Sequence, residues 1–250
     1  MNIRYYYSRR SCSELIITSH AARKYPWHMH FCHWSIGWLC SGTASLLTQT
    51  GSRTLVRGDH FIIPPNVAHC LSTAANTTLV VFCVSSLEDT EVHANSFFDS
   101  LHDIKRRNSL LTQISFEDWT NLRMLTARLS DHSKLKDAKK PISPIVQTVA
   151  ETLQESPDQS YPVNGMASSV GYSQWHFLRL FQKETGLTPH AYQMNCRLRM
   201  LRSLLRTGVA AVDAAMSAGF SDQSHMHKLF KRHHGLTPKK FRNASVIFEP

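Results

Sequence analysis

One unit of about 48 residues is written twice in the last third of this chain. Gly171-Tyr172-Ser173 leads to Leu180-Phe181-Gln182-Lys183 and then to Gly186-Leu187-Thr188-Pro189. Forty-eight positions after the first glycine stands Gly219-Phe220-Ser221, followed by Leu229-Phe230-Lys231-Arg232 and Gly235-Leu236-Thr237-Pro238, with the later landmarks offset by 49. A repeat of this length means one supersecondary unit used twice. Each copy reads as a short helix, a turn at glycine and a second helix carrying basic residues. Val163–Ser169 and Ala211–Ser217 are the expected first helices. Gly171 and Gly219 supply the left-handed turn, and Ser173 in one copy and Ser221 or Asp222 in the other cap the helix that follows. Pro189 and Pro238 stand at first helical positions, where a missing N–H costs nothing. A helix of about 17 residues, His190–Arg206, spans roughly 25 Å between the copies.

The rest of the chain changes period twice. From Ser13 to Val84 short β-branched and aromatic runs (Leu15–Thr18, Trp34–Leu39, Ser45–Thr48, His60–Ile63, Thr77–Val84) alternate with turns at Gly42, Gly51, Gly58 and Pro64-Pro65. Five or more short strands predict a small β-barrel or jelly roll. From Phe97 to Leu135 apolar residues recur at three- and four-residue intervals, as in amphipathic helices. A polar stretch with Pro141 and Pro144 then reads as a linker. The expected fold class is α+β and multi-domain: residues 1–90 a β-barrel domain, 91–135 a helical segment, 136–143 a linker, and 144–243 an all-α domain.

The net charge is +10, with equal excesses before and after Lys140, so it is denser in the shorter, repeat-bearing part. That permits a polyanionic partner. Six cysteines without CxxC spacing, five of them in the apolar first third, read as buried thiols in a reducing compartment. No apolar run reaches the roughly 18 residues of a membrane span, and Met1–Arg10 lacks the apolar core of a secretory signal. The expected location is cytoplasmic, with no membrane partner.

Helical faces sort the second helix of each copy. Phe177, Leu180 and Phe181, and likewise Met226, Leu229 and Phe230, form apolar stripes. The opposite faces carry Gln174, Trp175, Leu178, Arg179 and Gln182, and Gln223, Ser224, His227, Lys228 and Lys231. Gln, Arg and Lys suit base edges and phosphates, and Trp suits a thymine methyl. The run Ala-Gly-Phe-Ser-Asp-Gln-Ser-His at 218–225, with Lys228, Phe230-Lys231, Gly235 and Thr237-Pro238 after it, closely resembles the signature of the AraC/XylS family of bacterial transcription regulators. Arg197-Leu198 and Leu204-Leu205 resemble that family's linker helix, and residues 171–181 its first recognition helix. The resemblance covers about residues 141–243. It implies two recognition helices in successive major grooves of double-stranded DNA, with Trp175 and Arg179 nearest the bases in the first and Gln223 and Lys228 in the second. Lys228 stands where Arg is usual and gives up the bidentate fork for guanine. Ala211 and Ala214 replace larger aliphatics, so the first unit is the expected stronger reader.

In the first domain His28 and His30 are two apart, and Gly58 to His69 follows. The two segments resemble the HxH and G-x5-P-x-G-x2-H motifs of cupins, with Asn66 in place of the second motif's glycine. No Glu follows the HxH, where Trp34-Ser35 stands instead. The expectation is no cofactor and no resident metal, with His28, His30 and His69 the ligands if one binds. A small-molecule effector is expected to be held by Trp27, His28, His30, Trp34, Trp38 and His69, with Trp34 and Trp38 sharing the histidines' strand parity. The combined expectation is a non-enzymatic regulator, activator or repressor, that pairs as a homodimer through residues 97–129, with RNA polymerase a further partner. A metal-dependent cupin enzyme carrying a DNA-binding domain and an effector-independent regulator are the alternatives.

Overall fold

The computed structural model describes residues 2–8, 13–20, 22–84 and 142–248. The expected helical dimerisation segment, 91–135, and most of the linker lie outside the described residues. Nine strands make up the first part: β1 (Asn2–Ser8), β2 (Ser13–Ser19), β3 (Arg23–Lys24), β4 (Trp34–Ser41), β5 (Thr43–Thr48), β6 (Gly51–Val56), β7 (His60–Ile63), β8 (His69–Thr73) and β9 (Thr78–Val84). Seven helices follow among the described residues: α1 (Pro144–Glu155), α2 (Val163–Ser169), α3 (Gln174–Thr185), α4 (Pro189–Arg206), α5 (Ala211–Ser217), α6 (Gln223–His234) and α7 (Pro238–Ala244). A last strand, β10 (Ser245–Phe248), closes the described chain.

Of the small β-barrel or jelly roll expected, the described strands form two packed sheets rather than a closed barrel. One has six strands in the order β10-β1-β2-β9-β4-β7, and the other four in the order β3-β8-β5-β6. They pack face to face through Leu39, Phe61 and Leu79 of the first and Ala44, Leu46, Leu55 and Leu71 of the second. β10 pairs in parallel with β1, so the chain end after α7 extends the first domain's own sheet. The strand register fixes one face of the large sheet. Tyr5 is opposite Ile16, Ile16 opposite Val81, and Val81 opposite Gly37, while Tyr7, Glu14, Cys83 and Ser35 form the next row. Phe61 packs over Gly37, where any side chain would collide with its ring. The opposite face carries Tyr6, Leu15, Ile17, Trp34, Ile36, Val80 and Phe82, all buried.

The helical part follows its repeat closely. Ser173 accepts from the His176 N–H and caps α3, and Asp222 accepts from the Ser224 N–H and caps α6. Gly171 and Gly219 take φ of 73° and 80° at the turns. The joining helix α4 has 18 residues and serves two cores. Tyr192 and Cys196 pack with Phe177 and Phe181 of the first unit. Met194, Leu198, Leu201 and Leu205 pack with Met226 and Phe230 of the second. Arg197 locks the units together, donating to the carbonyls of Pro157, Gln159 and Gly219 at 2.7, 2.9 and 2.5 Å.

Candidate DNA-reading faces and interdomain cavity

Of the ten residues on the expected DNA-facing sides, nine are exposed, and Leu178 is half-buried. Trp175 is 79% exposed, far beyond what a packing role would leave an indole. The apolar stripes lie inside: Phe177, Phe181, Met226 and Phe230 have no exposed surface. α3 and α6 therefore present Gln174, Trp175 and Arg179, and Gln223, Ser224, His227, Lys228 and Lys231, on helices whose opposite sides are fixed by packing. α4, about 27 Å long, joins the two units.

The same repeat docks the β-domain at two equivalent points. Gly186 ends α3 and Gly235 ends α6, both at φ 80°. A β-carbon at Gly186 would sit 2.6 Å from the Ala68 methyl, and one at Gly235 would sit 2.2 Å from Ile3 and 2.1 Å from the Arg23 guanidinium. Backbone without side chains at these turns lets both units approach closely. Around the first contact the Gln49 amide donates to the Lys183 carbonyl. Around the second, Arg23 donates to the Lys231 and Arg232 carbonyls and Tyr5 to the His234 carbonyl, at 2.8, 3.1 and 2.7 Å. These groups donate to the last carbonyls of α6, of which that of Lys231 also accepts the Gly235 N–H.

A cavity of about 320 Å³ lies between the two parts. Its floor is the large sheet's inner face, with Tyr5, Tyr7, Glu14, Ser35 and Phe61. Its rim is His28, His30, His33 and His69, and its roof is Arg199, Arg202 and Arg206 of α4 with His233 and His234 of α6. Glu14, buried in the floor, accepts from Arg202 at 2.5 Å and also pairs with Arg206. His28 and His69 lie opposite each other and exchange both backbone hydrogen bonds, which brings their rings to 4.2 Å. Burial holds the imidazoles of His28, His30, His33, His69, His233 and His234 below the usual histidine range, His33 and His233 at about 3.

Three of the six residues expected around an effector, His28, His30 and His69, meet in this cavity. The tryptophans do not join them. Trp34 and Trp38 alternate with Ser35 on β4 and so belong to the sheet's other face, Trp38 stacking on His60. Parity fails because His28 and His30 precede β4, in a segment held to β8 by a single bridge. Trp27 is 39% exposed and lines a separate groove against α1 and α3. Asn66, which stands where the cupin motif has glycine, takes φ 63°, a conformation Asn tolerates better than most residues. Glu14, Arg202, Arg23 and Tyr5 were missed from sequence. The partners are some 190 to 230 residues apart, and neither end carries a local pattern that names the other.

Paired helix-turn-helix units on one rigid axis, each with an exposed polar and basic reading face, define a DNA-binding regulator. Residues 166–244 match the helix-turn-helix domain family. The chain is 30% identical over 227 residues to the uncharacterized HTH-type transcriptional regulator YbfI of Bacillus subtilis (strain 168), covering 82% of each chain. It is 25% identical over 235 residues to the RCS-specific HTH-type transcriptional activator RclR of Escherichia coli (strain K12), again with 82% of each covered. Among solved structures, ToxT from Vibrio cholerae O395 has the same overall fold, with a TM-score of 0.57 over 95% of this chain and 99% of that one at 12% identity. The chain belongs to the AraC/XylS family of bacterial transcription regulators and is a sequence-specific DNA-binding protein.

Proposed function

We propose that a small-molecule effector in the interdomain cavity sets how the reading helices are held, and that the chain regulates transcription without catalysing a reaction. One observation carries this reading: the cavity has walls from both parts, so its occupant has different contacts when α4 and α6 are docked and when they are not. An effector shifts an equilibrium only through such a difference. Three arginines against one carboxylate, with neutral histidines around them, favour an anionic head group, and Tyr5, Tyr7, Tyr25, Phe31 and Phe61 favour an apolar or aromatic body. A ToxT structure holds an unsaturated fatty acid, which supports the same ligand class here. The test is DNA affinity of the full chain with and without fatty acids and aromatic carboxylates. A shift that Arg199→Ala removes supports the reading; no shift with any anion, or one that survives Arg199→Ala, counts against it.

On the DNA side, Trp175 and Arg179 of α3 and Gln223 and Lys228 of α6 are the proposed base readers, with Gln174, Leu178, Ser224, His227 and Lys231 beside them. Arg179→Ala should weaken specific binding by about 1–3 kcal/mol and relax preference at one or two base pairs. Lys231→Ala, at a phosphate, should weaken all sequences alike and reduce the salt slope by about 1. Unchanged specific affinity in folded Arg179→Ala protein would reject this face.

The location proposed is the cytoplasm, with RNA polymerase the partner at the promoter. Pairing of two chains is assigned to residues 97–129, leaving residues 141–250 monomeric. Sedimentation at micromolar concentration should give a dimer for the full chain, and a monomeric full chain would remove that assignment.

A further inference from the structure

We propose that β10 is a releasable clasp: paired with β1, it fastens the second reading unit, and not the first, to the β-domain, and its release lets α6 and α7 leave the sheet together. The paired residues are far apart in sequence and adjacent in space. Tyr5, Tyr6, Tyr7 and Ser8 lie opposite Ser245, Val246, Ile247 and Phe248, in parallel. The run Ser-Val-Ile-Phe is rich in the β-branched and aromatic types that suit a strand. Without β10, β1 would be the outer strand of the six-stranded sheet, with unpaired N–H and C=O groups along an open edge.

The clasp reaches the reading helix through one short helix. α7 ends at Ala244 and β10 begins at Ser245, so no loop separates the strand from the second unit. Phe241 of α7 is fully buried, with its ring 5.4 Å from that of Phe230 in α6 and 5.1 Å, edge to face, from that of Tyr5 in β1. A pull on β10 therefore reaches the buried side of α6 through packed rings. The first unit has no such connection. It meets the β-domain at Gly186 and Gln49 and, among the described residues, shares no strand with it.

Its length makes the clasp reversible. Four paired residues are fewer than the ~5–6 of an ordinary strand, and parallel pairing is slightly weaker per residue than antiparallel. The second unit thus has a held and a free form, and anything that binds one of them better shifts the balance. The clasp needs no effector in the cavity, so it is measured without one.

The experiment is a cross-link in the full chain. Ser8 and Phe248 are register partners, so Ser8→Cys combined with Phe248→Cys should give an intrachain disulfide on mild oxidation, identified by peptide mapping. Hydrogen exchange then compares a chain ending at Ala244 with the wild type. Amides of β1, α6 and α7 should exchange about 10-fold faster in the shortened chain, while those of α3 keep their rate. The cross-linked form should differ from its reduced form by about 5-fold in affinity for a duplex selected in vitro with wild-type protein. Wild type oxidised and reduced in the same way should show no such difference. No cross-link, or one formed only between chains, overturns the clasp, and so does unchanged exchange in β1 of the shortened chain. Exchange that rises equally in α3 and α6 overturns its restriction to the second unit. Equal DNA affinity of the cross-linked and reduced forms overturns its regulatory role.

Discussion

Glu14→Ala is expected to destabilise the docked protein by about 3–5 kcal/mol, the usual loss when one partner of a buried ion pair is removed. Glu14 is 5% exposed and pairs with both Arg202 and Arg206, the Arg202 side chain being only 11% exposed. Arg206 also lies 4.2 Å over the Tyr7 ring, and Arg202 and Arg206 lie 5.4 and 5.6 Å over Phe241. Without the carboxylate, two guanidinium charges remain in a cavity already walled by histidines. Their cheapest relief is to carry α4 away from the sheet. The melting temperature of the full chain should fall, and amide exchange in α4 should accelerate. Replacing the three charges together, as Glu14→Leu with Arg202→Met and Arg206→Met, should cost less than the single change, because no charge is then left without a partner. Base reading should survive either change, since neither touches α3 or the exposed face of α6. A Glu14→Ala protein that melts like the wild type would show that this cluster holds nothing together.

The helical half was legible because its signals are local. A cap residue, a turn glycine and an apolar stripe all lie within one helix of each other, and both first helices fall where the pattern places them. Asp222 rather than Ser221 caps α6, a distinction of one residue that only geometry makes. The β half was legible strand by strand and not as a whole. A list of short strands is the same for a closed barrel and for two packed sheets; closure is a matter of which edges bond. β1 escaped notice because Tyr5, Tyr6 and Tyr7 are all largely buried, so no polar face marks the alternation. The histidine cluster was half legible. His28, His30 and His69 were named together from two motifs, whereas His33, His233 and His234 reach the same cavity only because the repeat's second unit docks there. Likewise the helix-ending glycines were read as landmarks of the repeat. Their second role, admitting the β-domain to within contact of the backbone, depends on residues more than a hundred positions away.

Those docked histidines make the contact sensitive to acid. In protein freed of divalent cations, stability should be complete above pH 6.5 and fall steeply toward pH 5. The sign follows from the shifts. Burial disfavours the imidazolium, so the docked state holds its histidines below their ordinary value of 6.5, His33 and His233 at about 3, while a separated or unfolded state restores it. Below pH 6.5 the open state takes up protons that the docked state refuses, and stability drops with each one. Each such histidine contributes about 1.4 kcal/mol per pH unit, so two of them remove roughly 4 kcal/mol between pH 6.5 and 5. Among the described residues lining the cavity Glu14 is the only carboxylate, and it already faces two arginines. Arg202 instead adds to the repulsion at His30, His33 and His234. Lifting the end of α6 from Tyr5 and Arg23 exposes His233 and His234 to water without unfolding either part, so opening should precede melting. Small-angle scattering in the presence of chelator should show the chain expanding between pH 6.5 and 5 while its helical circular dichroism persists. His233→Gln combined with His234→Gln should flatten that expansion. A scattering profile that stays constant over this interval, in wild-type protein free of metal, would mean that the histidines bear no charge penalty and that the two parts are held together by other contacts.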